Sequence, residues 1–302
     1  IPAVATTLHF KDDVGSFARA TERCIGMGKC RAKSGATCPS YQATAEERYS
    51  TRGRAHLLHE MVRGEVIKDG WGNTDIANSF EHCLSCKACK SECPTQVDIA
   101  TYKAEFMSAH YANKLRPMNH YLFGYIGSLL PWLSRFAGMV NILQSGISGR
   151  LTQQMLGLSD EKGLPKLASQ SFTHWVKKNA IRTDERFHWF GDHDKPTVVL
   201  WADSVNNHYR PKLLQSAINV LLKSGRQVAV TRQHFCCGRP LYEYGFLAQA
   251  VKQLSLILEG FHANLPADCS VIVLEPSCLS VFKDELLKAF PHDARALDLS
   301  ER

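Results

Sequence analysis

The chain has 302 residues, 44% of them apolar and 22% charged, with a net charge of +7. That length holds two domains with ordinary cores, and the composition excludes a disordered or low-complexity chain. Basic residues are interspersed with acidic ones and leave no footprint for nucleic acid. Eleven cysteines, clustered at metal-ligand spacings, point to sulfur ligation in a reducing compartment, not to a secreted disulfide scaffold.

Ile1-Pro2-Ala3-Val4 has neither the basic start nor the apolar core of a signal peptide. The chain stops at Leu297-Asp298-Leu299-Ser300-Glu301-Arg302 in helix-compatible sequence. Both ends suggest a piece of a longer polypeptide.

Residues 13–23 predict a short helix that delivers Cys24. Cys30 and then Cys38-Pro39 follow it. This run is a variant of a second one, Cys83-x2-Cys86-x2-Cys89-x3-Cys93-Pro94, whose spacing is that by which bacterial-type ferredoxins hold a cubane. Structural zinc also uses C-x2-C pairs, but normally two separated ones. In the usual crossover, one 4Fe-4S cluster takes Cys83, Cys86, Cys89 and Cys38. The other takes Cys24, Cys30 and Cys93, with Met27 standing where a second cysteine belongs. That second site fits a 3Fe-4S cluster, a 4Fe-4S cluster with a non-cysteine corner, or no cluster, Cys24 and Cys30 then being plain buried thiols.

Between the motifs, Thr44-Ala45-Glu46-Glu47 reads as a capping box opening a helix that Gly64 closes. Gly53 inside it predicts close packing or a bend, and Arg52 and Arg54 read as surface cations, the alternative being positive charge offered to an anionic cluster, a quinone oxygen or a partner. Residues 97–115 predict a helix with Ile99, Tyr102, Phe106 and Ala109 on one stripe. Residues 1–116 therefore read as an α-helical ferredoxin-like domain.

From Pro117 to Gly149 there is no acidic residue. Residues 121–133 are the most apolar run, too short to span a bilayer. They predict core helices packed on the ferredoxin half. The alternative is an interfacial segment that meets a membrane or a flavin domain. Residues 150–192 read as a linker with short helices, which makes 117–192 an apolar helical segment and linker.

Residues 193–302 alternate strand and helix. Strands are expected at 197–201, 227–231 and 271–274, and helices at 211–224, 244–260 and from 277. That order implies a small parallel sheet with ligands at its carboxyl end. There lie Asp203-Ser204, Cys236-Cys237-Gly238 and Pro276-Ser277-Cys278, so three thiols converge. Cys269 belongs to the opposite end. His82 and His234 adjoin cysteines and read as structural histidines. No Gly-rich nucleotide loop and no nucleophile elbow is present.

Arg23-Cys24 through Cys30-Arg31, Cys38-Pro39-Ser40-Tyr41, Ser50 through Ala55 and Cys83 through Pro94 resemble the iron–sulfur half of bacterial FAD-linked oxidoreductases. These are the D-2-hydroxyglutarate (D-2-hydroxy acid) dehydrogenase family. Cys236-Cys237-Gly238-Arg239-Pro240 with Glu275-Pro276-Ser277-Cys278 resembles the cysteine-rich CCG domain. That domain also occurs in the C subunit of anaerobic glycerol-3-phosphate dehydrogenase and in heterodisulfide reductase.

The resemblance implies an electron-transfer role for D-2-hydroxyglutarate, D-lactate or glycolate oxidation. FAD would sit in a flavin domain or subunit outside this chain, and a quinone or other acceptor would take the electrons. It implies a cytoplasmic place, with peripheral contact at the inner face of a membrane. Its CCG part implies metal ligation by Cys236, Cys237 and Cys278. Ser204 stands where such domains carry a further cysteine, and only one CCG copy is present. A heterodisulfide-reductase-type thiol/disulfide subunit is the alternative.

Overall fold

A computed structural model of the protein describes residues 4–32, 35, 38–159, 163–266 and 268–302. The chain forms two compact units. Ile1–Arg116 with Leu241–Ala250 and Lys288–Pro291 makes the first, and Pro117–Pro240 with Val251–Leu287 and His292–Arg302 the second.

The first unit is helical: α1 (Phe17–Glu22), α2 (Pro39–Thr44), α3 (Thr51–Arg63), α4 (Thr74–Glu81), α5 (Ala88–Glu92) and α6 (Ile99–His110). Phe10, Phe17, Leu58, Ile76, Phe80, Tyr102 and Phe106 form its core. Each contributes roughly 1.5–3 kcal/mol by leaving water. The expected stripe of α6 is buried at Ile99, Tyr102 and Phe106, and Lys103 and Glu105 are buried on the same helix. Asp98 caps it, accepting the Thr101 N–H at 3.2 Å.

The capping box placed at Thr44 does not form. Thr44 ends α2, and α3 starts at Ser50, whose Oγ accepts the Gly53 N–H at 2.8 Å. Glu47 is engaged instead by the Arg52 side chain at 2.7 Å. That removes the reciprocal carboxylate a capping box requires. Gly53 is where close packing was expected. A Cβ there would lie 2.0 Å from the Glu47 carbonyl oxygen, so that the 47–49 turn rests directly on the helix backbone.

The second unit holds the sheet. Its strands are β1 (Arg182–Thr183), β2 (Phe187–Phe190), β3 (Thr197–Leu200), β4 (Gln227–Thr231) and β5 (Ser270–Ile272), in the order β1-β2-β4-β3-β5. β3, β4 and β5 are parallel, in the register Val198↔Val228 and Val199↔Val271. The expected purely parallel sheet is therefore corrected to a mixed one. β1 and β2 form a hairpin, and β2 runs antiparallel to β4 with Phe187 opposite Thr231. The cause is the short link 191–196, which has no room for the helical crossover a parallel neighbour needs. Part of the supposed linker is thus sheet. Asp184 turns the hairpin by accepting the Arg186 and Phe187 N–H groups, each at 2.8 Å.

The helices α7 (Met118–Gly124), α8 (Ile126–Leu133), α9 (Ala137–Leu143) and α10 (Gly146–Met155) belong to this second unit. They are not the buried core helices expected. Leu130 and Ala137 pack inward with Leu167. Trp132, Phe136, Met139, Ile142, Ile147 and Met155 are exposed. Ile126–Leu143 has the length and composition of a membrane span, with Pro131 inside α8 and a 3-10 turn at Ser134–Phe136. The remaining elements are α11 (Phe172–Asn179), α12 (Ser204–Tyr209), α13 (Pro211–Lys223) and the helices after them.

Candidate iron–sulfur sites and a thiol cluster

Two cavities in the first unit are lined by cysteines. Cys38, Cys83, Cys86 and Cys89 line one, together with Ser85, Lys87, Thr51, Arg54, Ile99 and Ala100. Cys24, Cys30 and Cys93 line the other, with Gly26, Met27, Gly28, Thr51 and Arg52. These are the two groups that a ferredoxin crossover would pair. Met27 lies along the second cavity but is 60% exposed.

The loops bend as they must to turn several thiols one way. Ser85 and Lys87 take positive φ at 50° and 63°, as do Cys38 at 44° and Gly26 and Gly28 at 77°. Thr51, the first residue of α3, borders both cavities. The positive end of that helix dipole therefore faces both thiol groups.

The sulfurs are supplied with donors. Cys30 Sγ accepts the Arg52 N–H at 3.4 Å. Cys89 is bonded by the Ile99 and Ala100 N–H groups at the start of α6, and Cys93 by those of Thr95, Gln96 and Val97 and by the Thr95 hydroxyl. Burial alone would raise the Cys93 thiol, yet these bonds hold it below its ordinary value. Burial, with Asp98 adding, pushes Cys89 up to about 12. A ligating iron would supply the positive charge that this buried thiolate needs. Among the described residues no three His, Cys, Asp or Glu side chains meet closely enough to hold a single ion. The thiols stand around cavities, which suits a cluster with one iron per sulfur. The residues therefore fit the group.

Arg54 corrects another expectation. It is 2% exposed and no surface cation. Its Nε donates to the Ser79 carbonyl at 2.7 Å, Nη2 to Ser40 Oγ at 3.0 Å and Nη1 to Cys38 Sγ at 3.5 Å. Lys87 donates to Asp98 at 3.0 Å, and Lys288 donates to the same carboxylate. Burial would raise Asp98, but Lys87 and Lys288 outweigh it and hold the carboxyl well below its usual range. Neither Arg54 nor the Lys87–Asp98–Lys288 triad has a spacing signature in sequence. His82 stacks edge-on against Tyr49, with centroids 4.7 Å apart.

The second unit brings Cys236, Cys237 and Cys278 together beyond the carboxyl ends of β4 and β5. Cys237 and Cys278 place their sulfurs 3.0 Å apart and are both buried. Cys236 is hydrogen-bonded to Cys237 and to Ser204. Ser204 Oγ is 3.1 Å from His234 Nε2, so that His234 is part of this site. Asn207 connects His234 to His208, and His208 Nδ1 lies 2.7 Å from Ser134 Oγ. Burial lowers both imidazoles to about 4, so both are neutral at pH 7. α8 closes over the site at Gly127, where a Cβ would come within 2.4 Å of Cys236 Sγ. Gly127, Ser134 and His208 were missed because only the fold brings them here. Cys269 is buried before β5, with its sulfur near Arg302.

Residues 20–97 match the family model described as a 4Fe-4S dicluster domain. Over most of its length the chain is similar to the D-2-hydroxyglutarate dehydrogenase of Pseudomonas putida. The two are 23% identical over 301 residues, which covers 88% of this chain and 30% of that protein. The Escherichia coli D-2-hydroxyglutarate dehydrogenase is 22% identical, again over 88% of this chain and 30% of its own. The glycolate oxidase iron-sulfur subunit of E. coli is 30% identical over 74 residues, 24% of this chain and 16% of that one. The C subunit of the anaerobic glycerol-3-phosphate dehydrogenase of E. coli is 26% identical over 164 residues, 54% and 39% of the two chains. The chain thus spans about 30% of the length of the D-2-hydroxyglutarate dehydrogenases it matches. No solved structure matches it.

Proposed function

We propose that this chain is the electron-transfer part of a FAD-linked D-2-hydroxy acid dehydrogenase, with D-2-hydroxyglutarate as the favoured substrate. The observation that carries the reading is the division of seven thiols between two adjacent cavities that share Thr51. Similarity over 88% of the chain to D-2-hydroxyglutarate dehydrogenases supports the substrate class. A bound 4Fe-4S cluster supplies one-electron transfer.

Cys38, Cys83, Cys86 and Cys89 hold one such cluster in this reading, and Cys24, Cys30 and Cys93 hold the second. The chain's other residues tune and shelter them. Arg54 fixes Cys38, peptide N–H groups stabilise the sulfurs of Cys30, Cys89 and Cys93, and the start of α3 adds positive potential to both. Electrons enter from a flavin domain or subunit outside this chain and leave to a quinone. The domains are then a ferredoxin-like part over 1–116, an apolar segment over 117–192 and a CCG part over 193–302. Exposed apolar residues of α8 to α10 give the second part a peripheral contact with the inner face of a membrane.

The test is iron and acid-labile sulfide content of anaerobically purified protein, with electron paramagnetic resonance before and after dithionite. Two clusters are expected, with a three-iron signal before reduction if the Met27 corner is open. Zinc without iron would falsify the reading.

A further inference from the structure

We infer that Cys237 and Cys278 form a reversible dithiol–disulfide pair, a two-electron centre separate from the cysteine-lined cavities of the first unit. The inference goes beyond the electron-transfer reading and stands on the geometry of the second unit alone.

The two sulfurs are already 3.0 Å apart. A disulfide bond is about 2.05 Å long, so closing it needs a movement of about 1 Å. The two residues follow different strands of one sheet, Cys237 in the loop after β4 and Cys278 on the helix Pro276–Ser280 after β5. Both thiols are buried, so they are protected from chance alkylation and from partners too large to enter. Cys236 is half-buried beside them, bonded to Cys237.

Oxidation of the pair must also release protons. The hydrogen-bonded line from Cys236 through Ser204, His234, Asn207 and His208 ends at half-exposed Ser134. It gives a buried thiol site a polar connection to the surface. Gly127 belongs to the same design, because any side chain there would displace Cys236.

The chemistry balances without further parts. Two S–H bonds break, one S–S bond forms, and two electrons and two protons pass to a quinone, which becomes the quinol. A dithiol reductant returns both electrons and both protons. A cluster ligated by Cys236, Cys237 and Cys278 is the competing occupant of these sulfurs, and the two differ in what a peptide map shows.

The experiment uses the full chain, iron-loaded and anaerobic. It is treated with duroquinone, whose fully substituted ring takes electrons without adding thiols. The sample is quenched in acid, alkylated with N-ethylmaleimide and mapped by mass spectrometry. The expected result is a Cys237–Cys278 cross-link in near-stoichiometric yield, with Cys269 fully alkylated and dithiothreitol restoring both thiols. Cys278→Ser should abolish the cross-link, and Cys236→Ser should leave it. Full alkylation of Cys237 and Cys278 after quinone treatment of the unmutated chain would overturn the inference, and that reading needs no variant to fold. Iron that is lost only from the Cys278→Ser protein, together with no cross-link in the parent, would overturn it in favour of the cluster. Absence of iron from the first unit would leave the cross-link result unaffected.

Discussion

Arg54 donates to Cys38 Sγ at 3.5 Å from inside the first unit, while the same guanidinium holds the Ser79 carbonyl and the Ser40 hydroxyl. One buried cation therefore joins α4, the start of α2 and a thiol that borders the first cavity. Tyr49 adds to this arrangement, since its carbonyl accepts from Cys38 Sγ at 2.9 Å. The site is set by the core of the unit as much as by its loops.

Arg54→Met should therefore cost about 1–3 kcal/mol, the range for leaving buried hydrogen-bond acceptors without their donor. Arg54→Lys keeps the charge but lacks the planar fork that reaches three acceptors, and should recover only part of the loss. Denaturant unfolding gives the stability, and iron content per chain gives the effect on Cys38. A stable Arg54→Met protein with undiminished iron would contradict the assignment.

Gly53→Ala offers a sharp contrast of two effects. Alanine is about 1 kcal/mol better than glycine inside a helix. Its Cβ would meet the Glu47 carbonyl oxygen at 2.0 Å, and overpacking of that kind costs about 1–3 kcal/mol. The clash should win and the variant should be less stable. Gly138→Ala in α9 meets nothing within 4 Å and should gain up to about 1 kcal/mol. Equal shifts at both positions would refute the packing argument.

What the sequence made legible follows from how local each signal is. The spacing of Cys83, Cys86, Cys89 and Cys93 is contiguous, and so are the runs that became β3, β4 and β5. Arg54 was misread because its three acceptors lie 14 to 25 residues away, beyond any motif. β2 was missed because Phe187-His188-Trp189-Phe190 is a short aromatic run with no alternation, and His188 is buried within it. The exposed face of α8 to α10 was misread for the opposite reason. An apolar stripe looks alike whether it faces a core or nothing in the chain.

Glu105 predicts a pH effect. Its carboxylate accepts the Thr7 N–H at 3.2 Å and the Leu8 N–H, but burial dominates and raises it to about 7. The folded state therefore binds the proton more tightly than the unfolded state. The stability this contributes is complete below the unfolded value near 4.5 and is lost as pH rises through about 7. Glu105→Gln should flatten the fall in stability between those values, measured by urea unfolding at several pH values. An unchanged slope would show that Glu105 stays ionised in the fold.

The exposed face of α8 to α10 carries the last prediction. Ile142 is 74% exposed and Ile147 79%, while residues 118–155 hold two cations, Arg135 and Arg150, and no acid. Trp132 stands beside Arg135, whose guanidinium is 4.9 Å from the ring centroid. Apolar helices that carry positive and no negative charge of their own complement an anionic lipid interface. The chain should co-sediment with phosphatidylglycerol vesicles more than with phosphatidylcholine ones, and less so at high salt. Burying an isoleucine is worth about 1.5–3 kcal/mol, so Ile142→Asp or Ile147→Asp should weaken binding at least tenfold. Neither should lower folding stability, since both side chains are already in water. Binding that survives the double substitution would show that this face does not meet lipid.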